Sequence, residues 1–140
     1  TVRVLHFGHS SGPGDIAVLD VASGVLFAGG VVDVQRVPDT QDSDLAGWRR
    51  ALAELREIPG KVVVPGHGPS APASAIGAVQ TYLAQLEARA RELLAAGASL
   101  SSVPDASDLP AYESWDQYET IHRRNASIVF LRVERESMFK

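Results

Sequence analysis

The side chains that could carry chemistry in this sequence are its four histidines. His6 and His9 lie near the N-terminus, His67 lies in the middle of the chain, and His122 lies near its end. Imidazole serves both as a metal ligand and as a general acid or base near neutral pH. Because the sequence has no cysteine, any transition-metal site must be built from histidine and carboxylate groups.

His67 has the sequence context most typical of a functional histidine. It lies in the glycine-rich segment 65–69 (PGHGP), directly after a β-branched run at 62–64. Glycine lets the backbone approach another group closely, and the sites of α/β proteins form where loops follow strands at a sheet edge. We therefore interpret His67 as a functional residue, with a structural histidine as the alternative.

A serine-hydrolase pattern overlaps the N-terminal region. Residues 8–12 (GHSSG) fit G-x-S-x-G, the nucleophile elbow of α/β-hydrolases, in which Ser10 would be the nucleophile and His67 a candidate base. An elbow runs from a strand directly into a helix, whereas Pro13 follows Ser10 and residues 16–21 are typical of a strand. The context therefore argues against this alternative.

Hydrophobic patterning predicts the strands that would position these residues. Residues 2–7 predict a first strand, and 16–21 and 25–28 predict a hairpin buried on both faces or nearly so. Residues 61–64 predict a fourth strand, and 29–41 are expected to be irregular.

Three helices complete the pattern. Asp42 or Ser43 is expected to cap a helix that ends at Arg56, and a longer amphipathic helix is predicted over about 72–96. A capping box formed by Ser114 and Gln117 predicts the third helix, which reaches about Arg135 unless 129–133 forms a strand instead. The order predicts a single α/β domain over residues 1–140 with helices over the sheet.

Composition excludes several classes of function. There are 13 basic and 17 acidic residues, for a net charge of −4, and 45% of the residues are hydrophobic, which is ordinary globular usage. The pairs at 49–50 and 123–124 are the densest basic clusters, and both fit solvated helix faces. There is no long apolar run or signal-like N-terminus. We expect no nucleic-acid or membrane partner, and a cytoplasmic rather than a secreted protein.

Several of these segments together resemble the metallo-β-lactamase superfamily. Residues 14–18 (GDIAV), 25–29 (VLFAG) and 62–69 (VVVPGHGP) have the order and spacing of that family's C-terminal half, across roughly residues 3–70. Segment 118–125 (YETIHRRN) is similar to the C-terminal helix of quinoprotein-relay-type zinc metallohydrolases. The resemblance implies an α/β fold, the C-terminal half of a metallo-β-lactamase αββα sandwich, with helices packed on a mixed sheet.

The resemblance also implies a metal site that this chain supplies only in part. Members bind one or two metal ions, usually zinc, through an HxHxDH motif in the N-terminal half and a His, an Asp and a His in the C-terminal half. HxHxDH is absent from these 140 residues. The first C-terminal ligand position falls on Ser11, and the Asp position falls on Gly30. The final His matches His67.

His9, two residues before Ser11, is the histidine that could compensate for the lost ligand. We therefore predict His67 and His9 as metal ligands and Asp15 as a supporting residue, the alternative for Asp15 being a turn aspartate that caps local backbone. Asp33, the carboxylate nearest to the lost Asp position, is expected to be a loop residue. Because zinc sites use at least three protein ligands, zinc binding is expected to be weak or absent in this chain alone.

Three hypotheses about function follow. In the first, the chain belongs to a hydrolase in which a metal-bound water attacks an ester, thioester or lactam carbonyl of a small-molecule substrate. In the second, it is a non-catalytic scaffold or interaction module that has lost metal binding. In the third, compatible with both, it is a fragment of a longer protein. The apolar strands of half a sandwich predict a homodimer or a complex with a missing N-terminal half. The Ala- and Arg-rich composition is typical of a GC-rich bacterial genome.

Overall fold

The computed structural model describes residues 1–60 and 62–139. Five strands form a mixed sheet in the order β1-β2-β3-β4-β5. The neighbours are antiparallel except for β3 and β4, which are parallel. The strands are β1 (Val2–His9), β2 (Pro13–Asp20), β3 (Val25–Asp33), β4 (Val62–His67) and β5 (Ala71–Pro72). Lys61, with which a strand was predicted to begin, lies outside the described residues.

The helices pack on this sheet and on one another. α1 connects the parallel strands β3 and β4, α1 and α2 contact the sheet, and α4 packs on α2. The predicted α/β fold with helices on a mixed sheet is thus confirmed. None of the described helices is long and apolar enough to cross a membrane. The helices are α1 (Leu45–Arg56), α2 (Ser74–Ala95), α3 (Val103–Ala106) and α4 (Arg123–Met138), and a π-helical turn at Tyr118–His122 precedes α4.

The sheet has one buried face and one exposed face. Leu19 and Leu26 are buried in the core that the helices cover, with 3% and 2% exposure. On the opposite face Val4, Ile16 and Phe27 are 51%, 46% and 47% exposed. The prediction that the hairpin is buried on both faces is therefore wrong, because the described helices leave this second face open.

Two helix starts also differ from prediction. The N-cap of α1 is Asp44 rather than Asp42 or Ser43, and its carboxylate accepts a hydrogen bond from Gly47 N at 3.2 Å. The predicted capping box at Ser114 is wrong, because Gln117 has a left-handed backbone (φ 67°) and the helical turn begins after it. The alternative of a strand at 129–133 is also wrong, since this segment lies within α4.

A buried chain of hydrogen bonds joins α2, α4 and the segment before α1. Tyr82 Oη donates to Nδ1 of His122 at 2.8 Å, and His122 Nε2 donates to the carbonyl of Ser107 at 2.8 Å. Asn125 Nδ2 donates to Tyr82 Oη and to the carbonyl of Pro38, at 3.1 and 2.7 Å. Burial lowers the pKa of His122. This histidine is therefore a neutral structural residue.

Candidate functional site

The C-terminal ends of β3 and β4 bring a carboxylate and an imidazole together. Asp33 and His67 are register partners at the end of the parallel ladder, and Val34 N donates to the carbonyl of His67 at 3.0 Å. The C-terminal edge of parallel strands is where α/β proteins usually place their sites. β3 extends to this edge, so the prediction of an irregular segment from residue 29 onward is wrong for its first five residues.

Asp33 orients His67. The Nδ1 atom of His67 lies 3.1 Å from Oδ1 of Asp33, and the backbone N–H of His67 donates to the same oxygen at 3.1 Å. Asp33 is 8% exposed, whereas the side chain of His67 is 56% exposed. A hydrogen bond from Nδ1–H to a carboxylate fixes the tautomer and leaves Nε2 to bind another group. The expectation that Asp33 is an ordinary loop residue is therefore wrong.

Opposing effects act on the pKa of Asp33. Burial raises it, and the hydrogen bonds and charge of His67, together with the charge of Arg36, lower it. The burial effect is the larger, so the pKa lies above its ordinary value. The sequence carries no local signal for Asp33, because its place beside His67 depends on the parallel pairing of β3 with β4.

Two glycines beside His67 are required by the close approach of β4 to β3. A Cβ atom on Gly66 would lie 2.7 Å from the carbonyl oxygen of Gly29, and one on Gly68 would lie 2.0 Å from the carbonyl oxygen of Val34. Gly68 also has φ +98°, a conformation that L side chains rarely adopt. The PGHGP sequence thus sets the position of His67 against the end of β3.

The turn between β1 and β2 contains Ser11, and Asp15 lies in β2 directly after this turn. The Oδ2 atom of Asp15 accepts hydrogen bonds from Ser10 Oγ at 2.6 Å, from Ser11 Oγ and from Gly12 N at 3.0 Å. Asp15 therefore caps this turn, as the alternative interpretation expected. A Cβ atom on Gly30 would lie 3.1 Å from Ser11 Oγ. The two positions at which the resemblance places missing ligands are thus neighbours in space.

Ser10 is not in a nucleophile elbow. Its side chain is completely buried and donates to Asp15. The strand β2 begins at Pro13 and pairs back on β1, so no helix follows this serine. The serine-hydrolase alternative is therefore wrong.

His9 contacts the start of α1 rather than the strand ends. Its Nε2 donates to the carbonyl of Asp42 at 2.7 Å, and its side chain lines a groove of about 550 Å³ beside α1, α2 and α4. Its role as a metal ligand stays a prediction.

The donors of this chain do not fit a zinc ion by themselves. No group of three or more His, Asp or Glu side chains among the described residues is placed to hold a metal ion. His67 is one imidazole, and its neighbouring carboxylate, Asp33, already binds Nδ1. Because protein zinc sites need at least three ligands, further donors would have to come from outside these residues.

Comparisons with known proteins agree with this fold. No protein-family model and no curated protein matches the sequence. Among solved structures, the metallo-β-lactamase from Pontibacter korlensis matches 59% of this chain and 41% of its own, with 27% identity and a TM-score of 0.55. The structure of VMB-1 matches 60% of this chain and 41% of its own, with 24% identity and a TM-score of 0.55. The metallo-β-lactamase FIM-1 from Pseudomonas aeruginosa, in a mono-zinc form, matches 60% of this chain and 39% of its own, with 20% identity and a TM-score of 0.55.

These matches, together with a sheet that helices cover on one face only, define a metallo-β-lactamase-like α/β fold. The chain shares the fold of metallo-β-lactamases over about 60% of its length, as the sequence resemblance predicts. It spans about two fifths of the length of the matched proteins. The similarity to quinoprotein-relay-type metallohydrolases stays a prediction.

Proposed function

We propose that this chain is the C-terminal half of a metallo-β-lactamase-like hydrolase domain, and that it contributes His67 to a hydrolytic site. The observation that carries the proposal is the contact of Asp33 with His67 at the strand ends. A buried carboxylate that holds Nδ1 of an exposed imidazole is the arrangement found around metal-binding histidines and around general bases. The solved structures it resembles include proteins named metallo-β-lactamases.

A complementary αβ half that carries HxHxDH would supply the remaining groups. The open sheet face supports this part of the proposal, because exposed apolar side chains from three neighbouring strands form a surface suited to packing against a second sheet. These side chains are Val2, Val4, Ile16 and Phe27. Zinc held jointly by His67 and that half would supply an activated water for attack on an ester, thioester or lactam carbonyl. A second copy of this chain is the alternative occupant of the face.

A non-catalytic interaction module is the second candidate function. Ser11 and Gly30 favour it, because neither offers a side chain that zinc prefers. Oδ2 of Asp15 also accepts hydrogen bonds from three donors. In this case the open sheet face would be the binding surface, and the strand ends would have no chemical role.

The test joins an αβ half that carries HxHxDH to this chain, as one polypeptide or as a second chain. Zinc content and hydrolysis of a nitrophenyl ester, a thioester and a chromogenic β-lactam are then measured. We expect a complex whose hydrolysis is lost in His67→Ala and reduced in Asp33→Ala. His9→Ala tests the second predicted ligand, His9, independently of His67. A folded complex that hydrolyses none of these substrates, with the same zinc content in His67→Ala, would reject the hydrolase and favour the module.

A further inference from the structure

We propose that hydrogen bonds have replaced a metal ion at the turn between β1 and β2. The turn cluster, defined as Ser10, Ser11 and Asp15, closes the space beside Gly30 in which the superfamily resemblance places a metal ligand. The inference deepens the proposed function, on which it rests. If the turn cluster binds no metal, any metal ion in the assembled protein must be bound at His67 and not at the turn.

The Ser11 and Gly30 positions lie close together, and β4 approaches Gly30 at the residue before His67. Ser11 Oγ lies 3.1 Å from where a Cβ atom of residue 30 would stand. A Cβ atom on Gly66, the residue before His67, would lie 3.2 Å from Cα of Gly30. The turn, the middle of β3 and the end of β4 thus meet around one glycine.

One oxygen of the local carboxylate, Oδ2 of Asp15, is already engaged by the turn. Oδ2 of Asp15 accepts three hydrogen bonds, two of them from serine hydroxyls. Ser10 is fully buried, so its hydroxyl needs this acceptor. A metal ion that took this oxygen would leave these donors unsatisfied. Serine hydroxyls are neutral and are not among the usual ligands of zinc.

The same cluster also holds the turn in place without a metal ion. The carboxylate ties both serines and the backbone N–H of Gly12, and Asp44 N donates to the carbonyl of Ser10 at 2.9 Å. The turn is therefore fixed to the start of α1 by hydrogen bonds alone. We expect the chain to fold without metal and to be unaffected by chelators.

Restoring the two lost ligands tests this inference. The double variant Ser11→His/Gly30→Asp is incubated with zinc, desalted and analysed by elemental mass spectrometry beside the wild type. Cobalt(II) absorption then reports the ligand geometry. We expect no stoichiometric zinc in the wild type and about one zinc per chain in the double variant. That zinc should be lost when His67→Ala is added, and circular dichroism confirms that each variant is folded.

A second pair of variants keeps the inference testable if the double variant fails to fold. Ser11→Cys/Gly30→Cys should form an intramolecular disulfide under mild oxidation, because the spacing of the two positions is compatible with disulfide geometry. The native chain has no cysteine, so the product is unambiguous in a mass measurement. Ser11→Cys/Gly77→Cys, with one cysteine placed on α2, is the matched control and should stay reduced.

Three outcomes would overturn the inference. They are a folded Ser11→His/Gly30→Asp variant without zinc, a cysteine pair at 11 and 30 that stays reduced, and a wild type whose zinc is lost in Asp15→Asn. All three report on metal retention or on proximity, without a hydrolysis assay. An inactive assembled protein would therefore count against the proposed function and leave this inference standing.

Discussion

Oδ1 of Asp33 accepts hydrogen bonds from both the ring Nδ1 and the backbone N–H of His67, each at 3.1 Å. The two residues stand at the ends of neighbouring parallel strands, so the fold itself fixes their separation. The carboxylate is buried and the imidazole is exposed. This asymmetry lets Asp33 act on the orientation of His67 while Nε2 stays open to a ligand.

Replacement of Asp33 by Asn tests whether burial of the charged carboxylate costs more stability than its pairing with His67 supplies. The pKa of Asp33 is raised above 3.8, so the stability linked to this group is fully present below 3.8 and is lost as the pH rises through the raised value. At pH 7 the ionised carboxylate is therefore a net cost. We expect Asp33→Asn to unfold in urea with equal stability or with a gain of up to about 1 kcal/mol. A loss of stability at pH 7 would mean that pairing with His67 outweighs burial.

Removal of the Asp15 carboxylate should destabilise the chain. Asp15→Ala leaves three donors without their acceptor, one of them on the buried Ser10. We expect a loss of about 1–3 kcal/mol in the free energy of unfolding. Asp20→Ala is the matched control, because Asp20 accepts from Ser23 at an exposed turn and should lose well under about 1 kcal/mol. Equal effects in the two variants would contradict a structural role for the turn cluster.

The buried His122 predicts that stability falls in mild acid. Burial lowers its pKa below the ordinary value of 6.5, and the charge of Arg123 acts in the same direction, while the hydrogen bond to Ser107 and the charge of Asp108 oppose it. Below about pH 6.5 His122 binds a proton in the unfolded chain more readily than in the folded chain. Stability is therefore lost as the pH falls. Urea unfolding between pH 8 and pH 5 measures this slope. In His122→Gln the slope should be smaller, and an unchanged slope would assign it to other groups.

The open sheet face should mediate association. Phe27→Lys and Ile16→Lys place charges on exposed positions of this face, so we expect them to reduce self-association or binding of a complementary half without unfolding the chain. Leu131→Lys is the matched control, because Leu131 is 44% exposed on α4, away from the sheet. Light scattering across a concentration series measures the assembly. A wild type that is monomeric at all concentrations and binds no complementary half would contradict this prediction.

Local patterns in the sequence predicted the first four strands in outline, the long helix and the position of His67 at a sheet edge, but not the short strand β5 or the extension of β3 to Asp33. The open face was missed because residues 16–19 form a continuous apolar run, which is typical of strands covered on both sides. Whether such a run is covered depends on what packs on it, and the described helices cover one side. Asp33 was missed for a related reason. Its role depends on parallel pairing with β4, a contact between residues 34 positions apart.

Helix starts were harder to predict, since several capping residues compete. Residues 42–44 all have side chains that can cap a helix, and the packing of α1 decides in favour of Asp44. Gln117 takes a left-handed conformation that its residue type does not favour. No short-range pattern in the sequence indicates this conformation.

We would first measure the zinc content of the 140-residue chain, alone and joined to an αβ half that carries HxHxDH, with His67→Ala in parallel. We expect no stoichiometric zinc in the chain alone, and about one zinc per assembled protein that is lost in His67→Ala. An assembled protein that keeps its zinc in full when His67 is replaced would contradict the central claim that this histidine is the ligand contributed by this half.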